Sequence, residues 1–538
     1  MRQLGIIDSG FINMETPTVP QHIGGMGIYD PSTAPGGFVR FKDVLANFQQ
    51  RLARLPIFRT RLVEVPFGLD RPYWVLDPHF DVEFHIRHIA LPKPGDWRQL
   101  CIQVARLHSR PLDMKRPLWE AYIIEGLDNI PNLPKGSFAV YTKMHHALVD
   151  GAGGQSFMAA LHDLQPVPPP ADESPEPPAR FGDLQPTDVR LLGKALINAL
   201  PRLASGVKGT AATLGGFASM VKRIVSDELP PAQMSSPKSR FDQPVGHNRV
   251  FEAREFLLDD IKALKNAAGV TVNDISVAIV AGAMRQYLLA HNELPEESLS
   301  ASMPVNMRPR VGETQDNNQI GSITAPLHTN IADPVERLQA IKKSLDDAKA
   351  YIDTPLAGVV KLPGALPPLL AKPLARAYVR NKLTRYLPMG QATVITNVPG
   401  PPFDLYCAGA KMVCYYPLGL IMPGVGLFQA IFSCSGKAAF TITADRDQMP
   451  DPEFYRECLE ASYEELRKAL LGKATAPAAK ATAKRAAKAV RKAPVKAVRK
   501  TPAKATRAAK PTPKAAAKPT AKATAKAKPK AAPRRAAR

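Results

Sequence analysis

The chain has 538 residues, with 71 Lys+Arg against 48 Asp+Glu and a formal net charge of +23. Of those bases 22 lie in Gly472–Arg538, which has no acidic residue, so the remainder holds 49 bases against 48 acids. A near-neutral body with a basic tail excludes a protein that coats nucleic acid with its whole surface. The longest apolar stretch, Tyr415–Phe432, is broken by Pro417, Gly419, Pro423, Gly424 and Gly426, which excludes it as a spanning helix.

From the N-terminus, Met1–Gly10 has no apolar h-region, so no signal peptide is expected. Phe41, Leu45, Phe48 and Leu52 recur at helical spacing and predict a helix with one buried face. Val82, Phe84 and Ile86 alternate with Glu83, His85 and Arg87, which predicts a half-buried strand. Leu100, Val104 and Leu107 mark a second helix. Strands are expected at Ala121–Ile124 and Phe138–Met144, followed by a helix with Phe157, Leu161 and Leu164 on one face. Pro166–Pro178 holds seven prolines and reads as a linker.

In Thr187–Ser226, Val189, Leu192, Leu196, Leu200 and Leu203 fall on one helical face, and six bases with no acid run from Val189 to Ser226. That pattern suits a basic amphipathic helix, interrupted at Pro201, lying on a lipid surface. The other reading is an interdomain crossover packed on the body. A second globular part begins near Gly246. Asn273–Leu289 reads as a buried helix with Asn273 or Asp274 at its cap. Asp333-Pro334 opens a helix that turns Leu338, Ile341 and Leu345 inward. Strands are expected at Ala392–Thr396, Leu427–Ser433 and Ala438–Ala444, and a last helix carries Tyr455, Leu459, Leu466 and Leu470. Interleaved strands and helices without strict βαβ order give an α/β body of two lobes. The expected division is 1–165, a linker and crossover over 166–245, 246–471, and a tail over 472–538. The tail is almost only Ala, Lys, Arg, Pro and Thr, without aromatics, and is expected to be disordered.

Five scattered cysteines without a CxxC pair argue against a disulfide framework or a zinc site and fit a reducing cytosol. The sharpest local feature is Met144-His145-His146-Ala147-Leu148-Val149-Asp150-Gly151. A histidine can be neutral and basic at working pH, and a ring at a strand end can project into a cleft. Neighbours on a strand point to opposite sides, so one of the two rings should face substrate. Two ordinary loop histidines are the other reading, and HHxxxD lacks metal-ligand spacing.

HHxxxDG after a strand resembles the signature of the CoA-dependent acyltransferase superfamily, which includes chloramphenicol acetyltransferase and peptide condensation domains. The closer resemblance, over most of Met1–Leu471, is to bacterial wax ester synthase/diacylglycerol acyltransferases. It rests on six further blocks in order: Met14-Glu15-Thr16-Pro17 with Gln21-His22-Ile23-Gly24, Pro117-Leu118-Trp119, Val272-Asn273-Asp274, Met303–Arg308, Asn317-Asn318-Gln319, and Asn397-Val398-Pro399-Gly400-Pro401. The resemblance implies two lobes like chloramphenicol acetyltransferase with a substrate tunnel between them. It implies His146 as general base, moving a long-chain acyl group from acyl-CoA to the hydroxyl of diacylglycerol or a fatty alcohol. No metal and no cofactor is implied beyond acyl-CoA as co-substrate.

His145 would support His146, Asp150 would hold the loop and Gly151 would permit its turn. Glu15, Asn273 and Trp119 would line the substrate region. Trp119 also reads as core packing, Asn273 as a helix cap and Glu15 as a solvated loop residue. The implied location is cytoplasmic, peripheral at the inner membrane or lipid droplets. The tail resembles those of linker histones and suits DNA or anionic lipid. The alternatives are another hydroxyl acceptor, or a non-enzymatic granule- or nucleoid-binding protein.

Overall fold

The computed structural model describes residues 1–53, 55–148, 157–167, 185–199, 219–220, 222–226, 228–230, 236–306, 320–352, 354, 362–385 and 390–472. Numbered along the chain, the strands of the first half are β1 (Arg2–Gln3), β2 (His22–Asp30), β3 (Thr60–Val63), β4 (Tyr73–Leu76), β5 (Ile86–Ala90), β6 (Trp119–Glu125) and β7 (Phe138–His145). Those of the second half are β8 (Arg249–Leu257), β9 (Ser300–Asn306), β10 (Ile320–Pro326), β11 (Thr393–Pro399), β12 (Tyr406–Cys407), β13 (Ala410–Leu418), β14 (Leu427–Cys434) and β15 (Lys437–Asp445).

Two six-stranded mixed sheets organise the described residues, in the orders β12-β13-β2-β7-β6-β5 and β10-β9-β11-β14-β15-β8. A small sheet, β1-β4-β3, stands beside the first. The architecture is α/β with two sheet-centred lobes. One strand crosses between the expected segments. β13 comes from the 246–471 segment, yet it pairs antiparallel with β2 along the first sheet, Tyr416 opposite Met26. A strand goes where its backbone groups find partners, and β2 offers an open edge. All the described residues belong to one compact unit.

Helix Trp97–Ser109 opens on a capping box between Asp96 and Gln99. Its stripe of Leu100, Val104 and Leu107 packs between the first sheet and Phe251, Ala253 and Ala439 of the second. The opposite face of the first sheet packs on helices Ile6–Met14 and Phe41–Ala53. In the second lobe, helix Val272–Ala290 is buried from Asp274 to Met284 without a break. It lies among the second sheet and helices Pro334–Lys349 and Pro452–Leu471. No single helix among the described residues is long and apolar enough to cross a membrane.

Four local expectations change. Val82–His85 is one helical turn rather than strand, because the Asp81 side chain accepts a hydrogen bond from the Glu83 N–H; the strand starts at Ile86 and His85 is buried. Leu164 lies past the helix and is exposed, since Asp163 instead bridges to Tyr406. Thr271, not Asn273 or Asp274, caps helix Val272–Ala290, with Asp274 completing the box. In helix 188–199 the inward residues are Leu191 and Ala195, packed on Val65, Tyr73 and Val75; Val189 and Leu196 face solvent. Leu200, Leu203 and the tail 473–538 lie outside the described residues.

Candidate active site

β7 carries the histidine pair. All eight of its residues are buried, because it runs between β2 and β6 with a layer packed on each face. The strand's pairing continues past its end: the His145 N–H donates to the Leu118 carbonyl at 2.9 Å and the His146 N–H to the Gln21 carbonyl at 2.8 Å. A turn follows at once, with the Leu148 N–H donating to the His145 carbonyl at 2.9 Å. The two backbones are thereby held from opposite neighbours, His145 by Leu118 and His146 by Gln21.

His145 is 1 % exposed. Its Nδ1 accepts from the Ala147 N–H at 3.0 Å, so in the neutral ring the proton sits on Nε2. That nitrogen faces Glu15 Oε2 at 3.5 Å, an ion-pair distance rather than a hydrogen bond. Glu15 arrives in the loop after helix Ile6–Met14, folded by Thr16 and Val19 pairing with each other. Its carboxylate also accepts from the Gln21 N–H. Glu15, expected at the substrate, thus stands beside the buried His145 with its carboxylate held by the Gln21 N–H.

His146 is half-buried. Its ring stacks on Phe11 of helix Ile6–Met14, centroids 4.1 Å apart and planes 19° apart. Sequence reasoning had not singled out Phe11; an aromatic on a short helix carries no motif signal. Asp150 and Gly151 lie outside the described residues.

Behind β7 is a buried polar layer that sequence reasoning also missed. His22 stands opposite His145 in register and donates through Nε2 to the His108 carbonyl at 2.6 Å. His108 donates through Nε2 to the Gly419 carbonyl at 3.0 Å and accepts from the Tyr141 hydroxyl at 2.8 Å. Burial holds His22 well below the ordinary histidine range and pushes His108 down to about 3, so both are neutral. Lys143, fully buried, donates to the carbonyls of Leu107 and Arg110 and lies 3.4 Å from Glu120; burial lowers its pKa and Glu120 opposes that. In the sequence, Tyr141 and Lys143 stood in a predicted strand and His22 in a family block, while nothing marked His108, on helix Trp97–Ser109, as their partner.

The second lobe reaches the same region at two points. Asn273, on the first turn of its helix, accepts at Oδ1 from Asn397 Nδ2 at 3.3 Å. Val398, the next residue, packs against the cluster that contains Phe11, Met144, Ala147 and Leu148. Gly400 must be glycine, since a Cβ there would lie 2.4 Å from the Ser433 carbonyl oxygen. On β8, the Arg249 guanidinium donates to the Thr18 carbonyl at 2.6 Å, three residues from Glu15, and stands 3.8 Å from Asp445.

Trp119 requires a correction. It is buried in the first core, its Nε1 donates to the Phe58 carbonyl at 2.7 Å, and its ring stacks on His85. A ring with both faces packed and its one donor satisfied belongs to the core, not to a substrate contact. Among the described residues no group of three His, Cys, Asp or Glu side chains is placed to hold a metal ion.

Residues 4–276 match the wax ester synthase/diacylglycerol acyltransferase catalytic domain, and residues 317–467 match the C-terminal domain of the same family. A putative diacylglycerol O-acyltransferase of Mycobacterium bovis is 33 % identical over 469 residues, covering 86 % of this chain and 98 % of the relative. A probable diacylglycerol O-acyltransferase of Mycobacterium tuberculosis matches to the same extent. Among solved structures, the wax ester synthase/diacylglycerol acyltransferase of Marinobacter aquaeolei aligns with a TM-score of 0.61 at 28 % identity, over 88 % of this chain and all of that one. The first condensation domain of the calcium-dependent antibiotic synthetase aligns at 0.51 and 13 % identity, over 89 % of this chain and 99 % of that one, which is likeness of fold alone. Both family domains are present in order, the first containing the paired histidines, and the chain belongs to the wax ester synthase/diacylglycerol acyltransferase family of acyltransferases.

Proposed function

We propose that this enzyme transfers a long-chain acyl group from acyl-CoA to the free hydroxyl of a diacylglycerol, a fatty alcohol or both, with His146 as the general base. The observation that carries this reading is the unlike pair of rings. His145 has Nδ1 engaged and Nε2 turned to Glu15, in a buried setting. His146 is half-buried at the end of a rigid strand, its ring set by Phe11. The neutral imidazole of His146 takes the hydroxyl proton as the oxygen attacks the thioester carbonyl. A C–O bond forms, the C–S bond breaks, and the imidazolium returns its proton to the departing CoA thiolate. Glu15 and His145 position the turn. Asn273, tied to Asn397, offers a polar edge from the second lobe.

The relatives' names support the acceptor class: the mycobacterial proteins are named for diacylglycerol and the Marinobacter enzyme for wax ester and diacylglycerol alike. Such acceptors do not dissolve in water, so this reading places the enzyme in the cytoplasm at the inner membrane or at lipid droplets. The test is product analysis by thin-layer chromatography with palmitoyl-CoA and either acceptor. His146→Ala should cost about 10²–10⁴-fold in transfer with folding intact. His145→Ala should cost less, through disorder of the turn. Equal losses in two folded variants would remove His146 from its role.

A further inference from the structure

Helix Pro368–Arg380 is amphipathic, yet its apolar stripe points to solvent. Pro368 and Ala371 are its buried residues. Leu369, Leu370, Pro373, Leu374 and Ala377 recur at helical spacing on the exposed side, and Leu366 stands just ahead of them. The four leucines are 41–61 % exposed. A contiguous apolar stripe of this kind on a solvent-facing helix marks an interaction surface.

Two neighbouring elements extend it. The loop Pro66–Gly68 seats Gly68 so close to Leu369 that a Cβ would lie 2.9 Å from the Leu369 nitrogen. Beside it Phe67 is 77 % exposed and holds φ at +59°, a left-handed conformation unusual for an aromatic residue. Asn198 of helix 188–199 donates to Asp70 at 3.0 Å, which brings that helix to the same loop with Leu196 and Ile197 exposed. Its inner side is the one already buried on Tyr73 and Val75.

Charge selects the occupant. From Thr354 to Phe403 the chain has six bases and no acid. Arg376, Arg380 and Lys382 are exposed along this helix and its end. One acid borders the helix, Glu64, and it is paired with Lys372, so Arg376, Arg380 and Lys382 leave the edge net cationic. An apolar stripe with that edge complements an anionic phospholipid surface, with apolar side chains in the acyl boundary and guanidinium groups at headgroup level. Location agrees. The preceding turn, Leu362–Ala365, lies against helix Ile6–Met14, Gly364 facing Gly10 and Asn13 donating to the Pro363 carbonyl at 2.9 Å. That helix carries Phe11, on which His146 stacks.

We infer that the exposed face of Pro368–Arg380, together with the Phe67 loop, docks the enzyme on an anionic phospholipid surface, one helix away from His146. The inference deepens the functional reading by naming the surface through which an insoluble acceptor is met.

Two variants of the full chain test it. Leu370→Trp puts a reporter on the stripe. Mixed with phosphatidylglycerol/phosphatidylcholine vesicles, its added fluorescence should shift to the blue and be quenched by phospholipids brominated in their acyl chains. Quenching should persist at about 0.5 M salt, where attraction of the basic tail to lipid is screened. The triple variant L369S/L370S/L374S should lose about tenfold or more in activity on dioleoylglycerol held in vesicles and stay within about twofold on a water-soluble short-chain alcohol. No quenching of Leu370→Trp overturns the inference. So does an equal loss on both acceptors, which would make the stripe part of the folded site, or a shift of the triple variant's oligomeric state with vesicle activity unchanged. Should the unaltered enzyme acylate neither acceptor while Leu370→Trp is quenched, the functional reading fails and the docking face stands.

Discussion

His145 and His146 differ by one position and by almost everything else. The strand's alternation sends one ring into the packed interior and the other to the sheet's end. The Gln21 carbonyl, pairing beyond the strand, prevents the second from swinging away. Burial also sets the chemistry of the residues behind them. His108 has its pKa pushed down to about 3, burial being the main cause and the Gly419 carbonyl opposing it. In the unfolded chain the same group titrates near its ordinary value of about 6.5. Between those values the unfolded chain binds a proton that the folded protein does not. Stability is therefore complete above about pH 6.5 and is lost as pH falls through the window toward 3. His108→Gln should reduce the stability lost between about pH 7.5 and 5 by about 2 kcal/mol, read from urea unfolding at each pH. An unchanged pH slope would show that His108 is not held neutral by the fold.

At the scale of elements, close helix packing sets the position of the candidate base. Gly364 faces helix Ile6–Met14 with no room for a side chain: a Cβ would lie 1.6 Å from the Ile6 carbonyl oxygen and 2.8 Å from the Gly10 nitrogen. Gly364→Ala must push the two elements apart, at a cost of about 1–3 kcal/mol. Phe11 moves with its helix, so acyl transfer should fall as well. Gly193→Ala is the matched control, because nothing lies within 4 Å of a Cβ there. In helix 188–199 that change should be neutral or stabilise by about 0.5–1 kcal/mol. Thermal unfolding of both variants beside their transfer rates decides the matter. If Gly364→Ala behaves like Gly193→Ala, the packing argument is wrong.

For the whole molecule, charge is divided along the chain rather than across the fold. The body is nearly balanced and the tail holds 22 bases without an acid. Helix Pro452–Leu471 is closed by Gly472 in a left-handed conformation, its N–H donating to the Lys468 carbonyl at 3.1 Å, so the last described helix needs nothing beyond that residue. Ending the chain after Gly472 should leave acyl transfer within about a few-fold, since both family domains end by residue 467. It should abolish binding to DNA at low salt. In the full chain that binding should fall steeply as salt rises, as counterion release requires. DNA binding retained by the shortened chain, measured by gel shift, would place the polyanion site on the body.

Much of this was readable in short windows. The helical stripes of Phe41–Leu52 and Leu100–Leu107, the strand under the histidines, the Asp333-Pro334 helix start and the spaced motifs depend on residues close in sequence, where periodicity and capping act. The failures were local competitions. Asp81 captured the Glu83 N–H and turned the start of a strand into helix. Thr271 took the cap that Asn273 was expected to fill, which left Asn273 available to Asn397. What sequence could not supply depends on chain segments far apart. Glu15 meets His145, Arg249 reaches Thr18, and β13 joins the first sheet only because sheet order and register bring them together. The pattern of Pro368–Arg380 showed which face is apolar. Whether that face is covered depends on the other elements of the fold, and only the tertiary structure, which leaves Leu369, Leu370 and Leu374 more than half exposed, could decide it.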